Sequence, residues 1–455
     1  MAIATESPLE FRPPFLSLLD RRSQDEGGID PLSLQATYEQ LAERILPFIT
    51  ARMARPRFLT AIAVGARLCQ RFGEAVADDG VTPPWLVYEW HVIEAFVRAR
   101  ISIPEAEGRI PGIQKVGDAV RTRRAISAGS YLKTPKIFGF TGVYRRLATG
   151  LGIVDDDLSL DAGGEELVRI WEKEQGLDGF LSDPDGDRAG LRRSIESAVD
   201  DGLKAGHTSR RGGWSTWNTL ARTLNPDTAG PKECAFLHKT LLSTDLVQNR
   251  GDVEATAMRR EFLEALRWHG QSVVPAEEMA FFKRIQSNAS QELRRRLSLI
   301  LSYEVLCRYI TDALDLVLSL GARHGLPEVS TESFTRHPLA GRIASSLPSA
   351  CERAERAFVG PDAMDSVAKL VERYGEIRSA ENLLDSILSH HSDAQRAKPP
   401  EGRRPWVEPG RGKRSAWVRP AYLRDDPPDG TGGFVHHYRS ATCSRFLRDL
   451  RRLGR

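Results

Sequence analysis

The chain has 455 residues, 41% hydrophobic and 27% charged, with 64 Lys and Arg against 61 Asp and Glu. That length predicts about two to four domains with real cores, and a net charge of +3 does not by itself predict a polyanionic partner. The five cysteines (Cys69, Cys234, Cys307, Cys351, Cys443) stand far apart without a CxxC pair, so a disulfide framework or a zinc knuckle is not expected and reduced thiols fit better.

The opening MAIATESPLEFRPPF lacks the basic and apolar regions of a signal peptide, and no window offers about 20 uninterrupted apolar residues. The expectation is a cytoplasmic protein without a membrane span. Residues 1 to 30 read as an irregular arm. Asp30-Pro31 then supplies an N-cap and first-turn pair for a helix to about Thr50, with Leu34, Tyr38, Leu41, Ile45 and Ile49 at helical spacing. A second helix runs from Phe58 to about Phe72. A third runs from Trp85 to Arg100, after Thr82-Pro83-Pro84.

Beyond residue 104, Pro111-Gly112, Gly129-Ser130 and Gly139 divide shorter segments. The stretch Thr134 to Trp171 reads as a helix from Thr141 to about Thr149, a strand Gly152–Val154, an acidic tip Asp155–Asp157, a strand Leu158–Leu160 and a further helix. This order resembles the wing region of bacterial winged-helix domains. In that fold the helix before the wing enters the DNA major groove. The resemblance places Tyr144, Arg145 and Arg146 there, with Lys133, Lys136, Arg121, Arg123 and Arg124 upstream as phosphate contacts. The competing reading is a protein–protein module, because Asp155, Asp156 and Asp157 at the tip would repel phosphate.

Residues 188 to 203 read as a helix, and HTSRRGGWSTW (207 to 217) reads as a loop anchored by its tryptophans in preference to a binding loop. The firmest element is a helix of about 30 residues, Gln291 to Leu320, whose broad apolar stripe fits a bundle better than a coiled coil. Further helices at 349–358, 362–374 and 380–390 complete the bundle. Residues 393 to 433 are rich in Pro, Gly and Arg, which predicts an irregular connection before a terminal amphipathic helix.

Over residues 401–455 there are 13 Arg and Lys against 6 Asp and Glu, a net of +7. Arg403, Arg404, Arg411, Lys413, Arg414 and Arg419 interleave with Trp406, Trp417 and Tyr422. Guanidinium groups beside aromatic faces suit backbone phosphate and unpaired bases; the competing reading has the aromatics pinning the segment while the arginines stay solvated. The pairs His390-His391 and His436-His437 lack an i, i+4 partner or an HExxH frame, so polar surface or capping roles are expected and no metal. His238-Lys239 with Asp245 has the wrong spacing for a nuclease or phospholipase motif. No phosphate loop, GxSxG elbow, nuclease frame or Cys/His pair is present, so no catalytic residue and no cofactor is assigned.

The reading is therefore mainly α: an N-terminal helical domain (1–103), a winged-helix-like domain (104–182), a helical bundle (183–392) and a basic tract with a terminal helix (393–455). The phrases DPLSLQATYEQLAERILPFITARMARPRFLTAIA, YLKTPKIFGFTGVYRRLATGLGIVDDDLSL and FVHHYRSATCSRFLRDLRRL make the chain similar to an uncharacterised bacterial family associated with phage-defence and mobile-element gene neighbourhoods. The resemblance carries no catalytic residue. It implies a helical accessory subunit beside an ATPase, helicase or nuclease encoded elsewhere. Three functions stay open: a non-enzymatic component that binds DNA or RNA, a helical scaffold or adaptor for partner proteins, and a nuclease or other hydrolase with an unrecognised site.

Overall fold

The computed structural model describes residues 30–101, 110–181, 188–210, 212–242, 253–269, 275–323, 327–399, 401–410, 415–430 and 432–451, with positions 183, 185, 186 and 273. The expected N-terminal arm lies almost wholly outside them. The chain is mainly helical, as its periodicity predicts. Among the described residues no helix is long and apolar enough to cross a membrane. Two compact units are present: residues 1–41 with 297–436, and residues 42–296 with 437–455. Neither is a continuous stretch, so four consecutive segments do not describe the arrangement.

The first unit is built along the helix Gln291–Arg323, of which residues from Leu297 onward belong to it. Leu297, Ile300, Leu306, Ile310, Leu314 and Val317 are buried at the spacing of one broad helical stripe. Polar residues of the same helix are drawn in as well. The Glu304 carboxylate accepts the backbone amides of Val435 (2.7 Å) and His436 (3.2 Å) and the His436 Nδ1 (2.7 Å). One turn on, Arg308 donates to the carbonyls of Gly433 and Phe434, both at 3.1 Å. The His436 ring stacks on Tyr38 (centroids 4.8 Å, planes 8° apart) and on Tyr303 (6.1 Å, 16°). His436 is thus an internal clamp and not the polar surface residue expected.

The basic tract departs from its irregular reading. Val407–Pro409 (β2) and Ser415–Val418 (β3) join Glu328–Ser330 (β1) in an antiparallel sheet of order β1-β3-β2, with Val329 opposite Ala416 and Val407 opposite Val418. Trp406 and Tyr422, both buried, stack at 4.5 Å with planes 7° apart. His391 ties this tract to the N-terminal segment. It is fully buried, its Nδ1 bonds to the Pro31 carbonyl (3.0 Å), and its Nε2 accepts from the Trp406 amide (2.8 Å). Both ring nitrogens are used, which requires the neutral tautomer with Nδ1 protonated. Its surface reading is likewise corrected. Asp30 does cap the first helix, accepting from the amides of Leu34 (2.8 Å) and Gln35 (3.0 Å). The helix itself spans Gln35–Ile45, because Ser33 adopts a φ of 54° and breaks the expected first turn.

The second unit is arranged around the helix Pro84–Arg98, on which Leu86 through Phe96 are all buried. A helix apolar on every side needs neighbours on every side. The helices Phe58–Cys69, Ile113–Arg121, Phe140–Gly150, Ala189–Ala205 and Thr216–Leu224 supply them. Its buried His91 donates from Nδ1 to the Val87 carbonyl (2.8 Å) and lies flat on Trp217, at 5.9 Å and 19°. Trp214 meets Trp217 edge-on at 4.7 Å and donates to Ser194 (2.9 Å), so the tryptophans anchor the 207–217 loop as its composition predicts; Arg211 lies outside the described residues. Glutamates again hold backbone: Glu174 accepts from the amides of Lys232 and Glu233 (2.7 and 2.8 Å), and Glu278 from those of Tyr438 and Ser440 (2.8 and 3.0 Å). The terminal helix spans Ser440–Asp449, beginning later than its amphipathic pattern suggests.

Burial pushes the imidazoles of His390 and His391 down to about 4. A histidine kept neutral in the fold stabilises it above its ordinary pKa of about 6.5, and that contribution is lost as pH falls through 4. Denaturant titrations at about pH 7.5 and pH 5 should show the wild type losing stability at the lower pH. His391→Asn, already weaker at pH 7.5 by roughly 1–3 kcal/mol for its unmade hydrogen bonds, should show a smaller loss.

Candidate nucleic-acid interface

The residues expected at a nucleic-acid surface fall in both units. In the second, Thr134-Pro135 opens a one-turn helix, Pro135–Phe138, whose proline suits the first helical position. This turn lies across the start of the helix Phe140–Gly150, where the Lys136 carbonyl comes so close to Gly142 that a Cβ there would sit 2.4 Å from it. The position therefore requires glycine for proximity.

Tyr144 does not face outward. It is 1% exposed, its hydroxyl accepts the backbone amides of Ala54 and Arg55 (2.7 Å each), and its ring packs against Phe58 and Phe446. A ligand-contact role for Tyr144 is corrected on that ground. The helical period turns the next two residues outward, and Arg145 and Arg146 are exposed. Arg146 pairs with Glu43 at 3.2 Å and lies over the Phe48 ring. Arg145 donates to the Asp156 carbonyl.

That contact locks the acidic tip. The two expected strands reduce to one bridge, Val154 with Leu160, closed by the Asp155 amide to the Ser159 carbonyl (2.9 Å). Left-handed backbone at Gly152 (φ 63°) and Leu158 (φ 61°) turns the chain too tightly for a longer ladder. The Asp155 carboxylate is turned back onto the amides of Asp157 (2.9 Å) and Ser159 (2.8 Å). The helix Ala162–Glu174 follows, capped by Asp161.

Lys133 and Lys136 are exposed, and neither makes an ion pair among the described residues. Between them and the helix stand Ile137 and Phe138, 50% and 45% exposed, with the exposed Arg52 guanidinium 4.6 Å over the Phe138 ring. Upstream, Arg121 pairs with Asp118 and Arg124 bonds to Thr122, while Arg123 is exposed. The face thus combines cations with a half-exposed aromatic ring that carries a guanidinium on one side, a combination that suits phosphate contact and base stacking. Arg52 and Phe138 were not singled out in the sequence. Their signal was faint: an apolar pair isolated between Pro135 and Gly139, with no partner at helical spacing.

The other candidates are embedded in the small sheet of the first unit. Arg404 makes a two-pronged ion pair with Glu408 (2.6 and 2.8 Å). Arg403 is half-buried, and its amide donates to the Gln395 carbonyl. Trp417 lies on the central strand opposite Glu328 and Glu408, so carboxylate residues flank it on both sides. Arg411, Lys413 and Arg414 lie outside the described residues. Among the described residues no group of three His, Cys, Asp or Glu is placed to hold a metal.

Beneath the basic face sits Glu89, fully buried, accepting from Thr141 N (2.9 Å) and Tyr131 Oη (2.7 Å). It caps the Arg-bearing helix from within the core. Burial raises its carboxyl to about 7, against the opposing pull of these hydrogen bonds. A carboxyl whose pKa is higher in the fold than in the unfolded chain stabilises below its ordinary 4.5, and that contribution is lost as pH rises through 7. Glu89→Gln should remove this contribution, so that in denaturant titrations from about pH 8 to pH 5 the variant loses more stability on acidification than the wild type does. Glu89→Ala, which leaves the Thr141 amide bare, should cost roughly 1–3 kcal/mol. No family model, curated protein or solved structure matches the chain.

Proposed function

We propose that the chain is a non-enzymatic, nucleic-acid-associated accessory subunit of a bacterial anti-phage defence system, working in the cytoplasm beside an ATPase, helicase or nuclease. The observation that supports the binding role is the surface around Pro135–Phe138. There Lys133 and Lys136 carry no carboxylate partner among the described residues, Arg145 reaches only a backbone carbonyl, and Arg52 covers an exposed Phe138. The defence setting rests on the sequence resemblance alone. The basic tract is a weaker second contact, because Arg404 is already neutralised by Glu408.

Mobility shifts with single-stranded and duplex DNA and RNA at two salt concentrations test the role. Lys133→Glu with Lys136→Glu should weaken binding on every sequence and lower the salt slope by about 1 to 2, one for each lost phosphate contact. Phe138→Ala should weaken single-strand binding by roughly 1–3 kcal/mol if bases stack there. Arg404→Glu should change little. Absence of binding at low salt, or intact binding by the double variant, would overturn the reading. A specific observation favours the scaffold or adaptor alternative in that event: Trp268, at the end of the helix Val253–His269, is 82% exposed.

A further inference from the structure

Trp268, in the last turn of the helix Val253–His269 of the second unit, is the most exposed large apolar side chain among the described residues. Apolar residues scattered singly on a surface need no explanation. This one flanks a groove of about 620 Å³. One wall of the groove is the same helix, where Glu261, Glu264, Ala265 and Trp268 share a face at three- and four-residue spacing. The other is the helix Glu278–Gln286, through Arg284 and Ile285.

The two walls carry opposite charge. On the first, the Glu261 carboxylate already accepts the Ser290 amide (2.7 Å), whereas Glu264 is exposed and makes no ion pair among the described residues. On the second, Arg284 is exposed and has no carboxylate partner among them. It donates to the His269 Nδ1 (2.6 Å) and lies 5.6 Å over the Phe281 ring, contacts that hold its guanidinium at the groove. A polyanion laid here would meet Glu264, and a polycation would meet Arg284. A surface that offers the same two charges in reversed order satisfies both walls, and a second copy of this face is such a surface.

We propose that the chain forms a two-fold dimer through this groove. A two-fold axis lying between the walls sets Glu264 of each copy against Arg284 of the other, so both ion pairs form at once. The same rotation brings each Trp268 ring towards the other copy's recess, over Ala265 and Ile285. Tryptophan and arginine are the side chains that most often carry the binding energy of an interface, and here they stand on one face. The contact uses none of the residues of the proposed nucleic-acid face, so either can fail without the other.

Sedimentation velocity of the full chain, freed of nucleic acid, tests this over concentrations from about 1 to 100 µM, a range that reveals any dissociation constant tighter than about 100 µM. The wild type should move towards twice the monomer mass as concentration rises. Trp268→Ala, at a position too exposed to carry the fold, should weaken the dimer at least about tenfold, because symmetry removes the ring twice. Glu264→Arg and Arg284→Glu should each stay monomeric, since each homodimer would set like charges together at two places. An equimolar mixture of those two variants should dimerise to within about threefold of the wild type, because both contacts regain opposite charges. A variant that had lost its fold would not be restored by mixing. The proposal is overturned if the wild type is monomeric throughout, if Trp268→Ala dimerises as the wild type does, or if the mixture stays monomeric.

Discussion

Buried backbone amides need acceptors, and in this protein helix-borne glutamates provide them for the segments that have no ladder of their own. Glu304 holds Val435 and His436, Glu278 holds Tyr438 and Ser440, Glu174 holds Lys232 and Glu233, and Glu89 holds Thr141. Each joins residues far apart in sequence, and each lets an irregular stretch cross a packed region without orphaned N–H groups. The helices alone would form bundles. These carboxylates decide where the connecting chain runs, and with it where the exposed side chains of Arg145, Lys136 and Phe138 emerge.

The same device sets a chemical limit on the core. A carboxyl without a cationic partner, as Glu89 is, tolerates burial only by holding its proton more tightly, whereas the buried imidazole of His391 tolerates it by giving its proton up. Buried carboxyls such as Glu89 and buried imidazoles such as His91 and His391 therefore respond to acid in opposite senses. Lys133 and Lys136, exposed on the surface, keep their charge without that cost.

Helical periodicity made the main elements legible: Phe58–Cys69, Pro84–Arg98 and Gln291–Arg323 all lie where their apolar stripes put them. What stayed hidden depends on distant partners. The Ser415–Val418 strand pairs with Glu328–Ser330 almost ninety residues away, and nothing local in a Pro- and Arg-rich tract announces a sheet. Tyr144 beside two arginines reads as part of one contact group. Only the amides of Ala54 and Arg55, across the unit, show that its hydroxyl is a structural acceptor. His391 and His436 misled for a related reason, while His437 is exposed as expected: a single sequence marks a residue as polar but not whether the fold offers its ring nitrogens a partner. Of the candidate surface, Lys133, Lys136, Arg145 and Arg146 were named from the sequence and are exposed, while Arg52 joined them through a ring contact that has no sequence signature.

The interleaving of the two units bears on how the chain is made. The first unit lacks its central strand until residue 418 has been synthesised, and the second lacks the helix Ser440–Asp449 until almost the whole described chain has emerged. The helices packed around Pro84–Arg98 are all made by residue 224, whereas the polar residues Glu304 and Arg308 of Gln291–Arg323 wait for the 433–436 segment until late in translation. A stop or a proteolytic nick near residue 400 would leave both units without their closing segments. Abundance in the cell would then depend as much on protection of the nascent chain as on the stability of the finished fold.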